Sequence, residues 1–196
     1  MELASLLRPL GAVAGPAAVV GFALMVSAMV VDGEAGVETS PLAVASSAVL
    51  VVALLGIGAG AVAALSRLRD EGRSVAGAAV AVVGTVLVAG GAWALLFVLP
   101  GLAAEAPDVL DAGLPSVVVG YIASYVVFTV GWLWTGIALL RAGLVPGWLG
   151  TLTIVGAALA FVPAPEPFRV LVIGIAVTLL ARRLAAPVVA RAAVPA

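Results

Sequence analysis

The chain has 196 residues, a hydrophobic fraction of 64%, a charged fraction of 10%, a net charge of −1 and a mean hydropathy of +1.31. A soluble domain carries roughly a quarter charged residues and about half apolar ones, so this composition excludes a soluble enzyme, a disordered tail and a nucleic-acid-binding domain. His, Cys, Lys, Asn and Gln are absent altogether, which removes Cys/His metal sites, thiol chemistry, Lys Schiff bases and His-based triads, so no cofactor or metal is expected.

A helix that crosses a hydrocarbon core of roughly 30 Å needs about 20 mostly apolar residues. The first such run covers residues 10–31 and is too long for the apolar core of a signal peptide. Pro16 lies within it and is expected to bend or loosen its first half. The acidic, Gly- and Pro-containing segment from Asp32 to Pro41 breaks it. A second run covers residues 42–66 and ends in a cluster of arginines and acids, Arg67 to Arg73. The third run, 75–99, stops at Pro100-Gly101, and the connection that follows holds Glu105, Asp108 and Asp111, with spacing that allows a short interfacial helix. The fourth, 114–140, opens with Pro115 in its first turn, where proline costs least.

Two shorter runs, 148–162 and 168–181, flank Pro163-Ala-Pro-Glu-Pro167. Each would rise only about 21–23 Å as a helix, which suits a thin span or a re-entrant hairpin. Two spans are the reading taken, because a hairpin turning at mid-bilayer would bury Glu166 at a cost of about 2.5–3.5 kcal/mol. The expected fold is therefore all-α, a single polytopic bundle of six transmembrane helices with the last two short.

With the N-terminus in the cytoplasm, Arg8, Arg67, Arg69, Arg73, Arg141, Arg182, Arg183 and Arg191 all fall inside, leaving Arg169 alone outside. Asp32, Glu34, Glu38, Glu105, Asp108, Asp111 and Glu166 fall outside, against Glu2, Asp70 and Glu71 inside. That asymmetry is the positive-inside pattern of a multipass protein of the cytoplasmic membrane with both termini cytoplasmic. Trp148 and Phe168 fall at the expected boundaries as interfacial anchors.

No ionisable residue falls at expected hydrocarbon depth, which disfavours ion-coupled transport. Gly11/Gly15, Gly56/Gly60 and Gly156/Ala160 are small-residue pairs at helix-packing spacing, read here as internal packing and, alternatively, as a docking face for another subunit. On the fourth helix Tyr121, Ser124, Tyr125, Phe128, Thr129, Trp132, Thr135 and Gly136 recur at intervals of three and four and share one face, with Trp134 turned elsewhere. Ser27, Ser46, Ser47, Thr85, Trp93, Thr153 and Thr178 are available to face them. The candidate ligand pocket is thus an apolar space edged by Tyr121, Ser124, Tyr125, Thr129, Trp132 and Trp93, suited to a lipid-like neutral ligand. The plainer expectation is that the hydroxyls bond helix carbonyls and the rings fill the core. The outer acids Asp32, Glu34, Glu38, Glu105, Asp108 and Asp111 lack calcium-loop spacing and read as solvated loops.

The stretch Gly131–Gly150 (GWLWTGIALLRAGLVPGWLG) ends a helix in G-x-x-L-x-R-A and turns through P-x-W-x-G into the next. Together with the final hairpin, over residues 114–185, it resembles a block in uncharacterised small multipass membrane proteins of GC-rich prokaryotes. The resemblance implies a multipass cytoplasmic-membrane protein and carries no activity or functional residue with it. The leading expectation is a non-catalytic accessory subunit or scaffold with room for a lipid-like ligand. Its partners would be membrane lipids and a larger membrane complex or a second copy, with no nucleic acid. A carrier for a small neutral or apolar molecule is the alternative, and a lipid-modifying enzyme using the outer acids with Tyr121 and Tyr125 is a third.

Overall fold

A computed structural model describes residues 3–36, 40–98, 101–102, 105–106, 108 and 115–184. Six helices account for nearly all of them: α1 (Leu3–Gly36), α2 (Pro41–Asp70), α3 (Ala76–Phe97), α4 (Pro115–Arg141), α5 (Gly147–Leu159) and α6 (Glu166–Leu184). Glu38 and Asp111 lie outside the described residues, as does most of the acidic connection in which an interfacial helix was expected.

Local chemistry sets the helix ends. Ser40 caps α2, its Oγ accepting from the Leu42 amide at 3.2 Å, and Pro41 follows at the first helical position, where its missing N–H is harmless. Past α2 and past α4 the chain turns through a left-handed glycine, Gly72 at φ +64° and Gly143 at φ +66°. At both, the next amide reaches five residues back, Arg73 to the Leu68 carbonyl at 2.8 Å and Leu144 to the Leu139 carbonyl at 3.1 Å. These bonds satisfy carbonyls that a helix end would otherwise orphan.

Several boundaries differ from the sequence reading. α2 continues past Ser66 to Asp70, its last turn carrying an ion pair between Arg67 and Glu71 at 2.9 Å. α1 runs through Pro9 and Pro16 without a break, and its only non-helical residue is Gly33, at φ 70°. At Pro16, where a bend or loosening is expected, a side chain from α6 bonds the backbone of the preceding turn. The Thr178 hydroxyl accepts from the Gly15 amide at 2.7 Å and donates towards the carbonyls of Gly11 and Ala12, each at 3.3 Å. Ala12 is the residue whose i+4 donor proline removes.

Neighbouring helices run antiparallel, as contact register shows. Gly56 lies against Leu10 and Ala14, and Gly21 against Ser46 and Leu50, so α1 and α2 align in opposite directions. The same reversal holds for α3 on α4 (Gly77 beside Trp134, Gly84 beside Phe128), α4 on α5 (Gly136 beside Ile154) and α5 on α6 (Gly156 beside Ile173). α6 returns to α1, with Gly15 beside Thr178 and Gly174 beside Ala18, and also packs on α2 through Gly60 and Val177. The result is a closed ring of six with α2 bridging to α6. The pairs Gly11/Gly15, Gly56/Gly60 and Gly156/Ala160 all lie at these internal contacts, where backbones approach closely.

Because the helices alternate, the Arg67–Arg73 turn, Arg141 and Arg182/Arg183 share one end of the bundle. Asp32, Glu166 and Arg169 share the other. The outward surface is apolar, with Val30 79% and Val119 66% exposed. Four helices are long and apolar enough to cross a membrane: Pro9–Gly33, Pro41–Asp70, Ala76–Phe97 and Pro115–Arg141. α5 and α6 are shorter, 13 and 19 residues.

Candidate functional site

The face of α4 that carries the polar and aromatic stripe meets α3 in two different ways. Over its second half the helices are in backbone contact. A side chain on Gly84 would collide with the backbone of Phe128, and one on Gly131 with that of Ala81. Here Phe128 and Trp132 are fully buried, and the Trp132 indole N–H donates to the Thr85 hydroxyl at 3.2 Å. Thr85 passes its own proton to the Ala81 carbonyl at 2.7 Å. Trp132 and its neighbours are therefore core, and the plain reading of that part of the stripe holds.

Towards the acidic end the two helices part and enclose a cleft of about 490 Å³. From α3 it is walled by Leu87, Val88, Gly91, Ala94 and Leu95, and from α4 chiefly by Val117, Gly120, Tyr121, Ser124 and Tyr125. Gly91 and Gly120 have nothing within 4 Å of where a Cβ would stand, so their missing side chains leave the space open. Leu87, Leu95 and Val117 are exposed, so the cleft opens on the outside of the bundle. Its size falls in the range of roughly 300–1,000 Å³ typical of small-molecule pockets.

Of the six residues expected to edge a pocket, Tyr121, Ser124 and Tyr125 wall this cleft. Ser124 Oγ donates to the Gly120 carbonyl at 2.7 Å. Trp132 lies below it in the core. Trp93 lies on a different face of α3, 55% exposed and 4.3 Å from the Phe97 ring. Thr129 is not among the lining residues, and its hydroxyl is buried without a hydrogen-bond partner. The other expected facing groups are engaged elsewhere. Ser27, Ser47 and Thr153 each donate to the carbonyl four residues earlier, as Thr135 of the stripe itself does, Ser46 donates to Gly21 on α1, and Thr178 serves α1 as described.

Sequence reasoning missed the other half of the site. Glu166, assigned to a wetted turn, and Arg169, placed at the outer end of the last run, belong to the first turn of α6 and reach the tyrosines. Glu166 is only 9% exposed and its Oε1 accepts from the Tyr125 hydroxyl at 3.4 Å. The Arg169 guanidinium lies 4.7 Å from the Tyr125 ring centroid and 5.5 Å from that of Tyr121, within the reach of a cation–π contact. Its Nε donates to the Ala164 carbonyl at 2.7 Å and one Nη to the Tyr121 hydroxyl at 3.4 Å. Glu166 precedes the apolar run 168–181, and burial pushes its carboxyl above the ordinary range against the opposing pull of the tyrosine hydroxyls and Arg169. Phe168, expected as an interfacial anchor, packs edge-on to Phe22 of α1 at 4.6 Å. The tyrosine pair, its rings 5.0 Å apart, is thus a wall shared between an apolar cleft and a charged pair.

The acids of the two outer connections do not join this group. Asp32, Glu105 and Asp108 are exposed, and among the described residues no three carboxylates converge. Compared with known proteins, the chain matches no family model, no curated protein and no solved structure.

Proposed function

We propose that this chain is a six-span protein of the cytoplasmic membrane, both termini cytoplasmic, acting as a non-catalytic accessory subunit or scaffold that holds a lipid-like molecule between α3 and α4. The observation that carries the reading is the cleft of about 490 Å³, apolar on both walls and open to the periphery of the bundle. A surface bearing Val117, Leu87 and Leu95 faces acyl chains once the bundle is in a bilayer, so the cleft fills from the membrane itself. The distribution of arginines between the two ends supports the orientation.

Holding is favoured over transport by the shape of the space. The backbone contacts of Gly84 with Phe128 and of Gly131 with Ala81 close the α3–α4 seam below the cleft, so it is a recess and not a passage. Native mass spectrometry of the full chain extracted from its own membrane tests the proposal. The wild type is expected to retain an apolar small molecule, together with a larger partner in fixed ratio. Gly91→Leu places a side chain in the cleft where nothing lies within 4 Å of the Cβ position, and is expected to abolish retention of the small molecule. Equal retention in the wild type and Gly91→Leu refutes the cleft as its site.

A further inference from the structure

A recess open to lipid has no reason to prefer one occupant, because an acyl chain gains little by leaving other chains for an equally apolar wall. Discrimination has to come from a polar group at the edge, and among the described residues a cation stands at one end of the cleft, behind its tyrosine wall. Tyr121 and Tyr125, which wall the cleft, have the Arg169 guanidinium lying over their rings at 5.5 and 4.7 Å from the centroids.

Arg169 is the exception to the charge asymmetry of the chain. It stands at the acidic end of the bundle, opposite Arg67, Arg69, Arg141, Arg182 and Arg183. It is half-buried, and held in place by the Ala164 carbonyl on Nε, by the Tyr121 hydroxyl on one Nη and by two aromatic faces. A guanidinium has five N–H donors, and these two bonds occupy two of them. Among the described residues the one ion pair is Arg67–Glu71, so Arg169 is not ion-paired to its neighbour Glu166. Glu166 instead accepts from the Tyr125 hydroxyl at 3.4 Å. The remaining donors of this half-buried side chain are free to bind carboxylate or phosphate oxygens.

We infer that the occupant of the cleft is an anionic phospholipid of the leaflet at the acidic end, with an acyl chain between α3 and α4 and its phosphate on Arg169. The inference rests on the cleft reading above and adds to it the class of head group. Tyr121 and Tyr125 are positioning residues in this arrangement: they orient the guanidinium and form the wall along which chain and head group join.

The test places the full chain in lipid nanodiscs containing equal amounts of phosphatidylglycerol and phosphatidylcholine with identical acyl chains. Lipid retained on release is then counted by native mass spectrometry. The wild type is expected to retain phosphatidylglycerol about tenfold over phosphatidylcholine: both carry the phosphate, but only the second carries a choline cation, which the Arg169 guanidinium repels. Arg169→Gln is expected to bring the two lipids to equal retention, Arg169→Lys to keep a reduced preference through its charge, and Gly91→Leu to lose both lipids. Equal retention of the two lipids by the wild type overturns the inference without needing any variant, as does a preference that survives in folded Arg169→Gln. In either case the cleft reading stands if Gly91→Leu still empties the site. If Gly91→Leu retains both lipids at wild-type levels, the cleft reading and this inference fail together.

Discussion

Replacing Thr178 by Val keeps a branched side chain of similar shape and deletes a hydroxyl that serves three backbone groups of α1. That hydroxyl accepts from the Gly15 amide at 2.7 Å and shares its single proton between the Gly11 and Ala12 carbonyls, both at 3.3 Å. The need for it begins at Pro16, which has no N–H to give the Ala12 carbonyl. An orphaned buried polar group costs about 1–3 kcal/mol, and interhelical hydrogen bonds in membrane proteins are worth about 0.6–2 kcal/mol. Gly15 N–H can fall back on the Gly11 carbonyl within its own helix, whereas Ala12 has no such recourse. The expected loss for Thr178→Val is therefore about 2 kcal/mol, read from the midpoint of unfolding when the full chain in mixed micelles is titrated with SDS. Thr178→Ser keeps the donor and acceptor and is expected to lose about 0.5–1 kcal/mol, through the deleted methyl. The discriminating variant is Pro16→Ala, which returns a donor to Ala12. In that background Thr178→Val is expected to cost about half as much, a coupling of about 1 kcal/mol. Strictly additive costs would refute the assignment of Thr178 as the partner of the proline gap.

The glycines divide into two groups by the same assay. Gly131→Val thrusts a side chain into the Ala81 backbone and is expected to cost about 3 kcal/mol as overpacking, whereas Gly120→Ala meets nothing within 4 Å and is expected to be neutral or stabilising by up to about 1 kcal/mol. Similar costs at both positions would show that the α3–α4 separation is wrong. Trp132→Phe deletes the 3.2 Å bond to Thr85 and is expected to cost about 1 kcal/mol. It should also change the fluorescence maximum, since Trp132 is fully buried among protein groups while Trp93, Trp134 and Trp148 are each about half exposed on the outside of the bundle. An unchanged maximum would mean that the indole is not in the core. Gly156→Leu drives a side chain into the Ile173 backbone, 2.7 Å from the Cβ position, and is expected to detach the short α5 from α6, read as new proteolytic cleavage in residues 160–165.

The six helices were legible because lipid and a packed interior both ask for long apolar runs, and because Pro41, Gly72, Pro115 and Gly143 mark their ends by backbone chemistry alone. The stripe on α4 was legible as a face, from its spacing. What lay opposite was not, since periodicity gives the orientation of one helix and says nothing of its neighbour. Trp132 and Tyr121 share a stripe, yet one meets the closed half of α3 and the other the open half. Glu166 was sent to water by a rule about prolines and charges, and Arg169 to the outer side by a count of arginines, neither of which looks across the fold, while the tyrosines that receive them lie 41 and 48 residues away. A signal existed in Arg169, among the described residues the only arginine at the acidic end, where a cation needs a reason. Likewise the loosening expected at Pro16 followed from α1 taken alone, whereas the hydroxyl that takes up the freed Ala12 carbonyl, that of Thr178, stands on α6. Thr129 offers no such account: the structure leaves its hydroxyl buried and unpartnered.

The cleft and the closed seam below it are two outcomes of one packing choice. Where Gly77, Gly84 and Gly131 face their partner helix, no Cβ holds the backbones apart, and α3 and α4 meet at the distance of main-chain contact. Further along, the residues between the helices are Val88, Tyr121 and Tyr125, and the rings of the latter two are turned across the gap towards α6 by Glu166 and Arg169. Gly91 and Gly120 then stand opposite empty space, with no side chain to fill what the tyrosines leave. The charged pair on α6 thus acts on the width of a recess between two other helices. On this argument Glu166→Leu, which removes the acceptor of the Tyr125 hydroxyl, should let that ring fall back towards Gly91 and narrow the cleft. A spin-label pair on the outward faces at Val86 and Val119 should then report a shorter distance. An unchanged separation would mean that the recess is set by the α3–α4 contact alone.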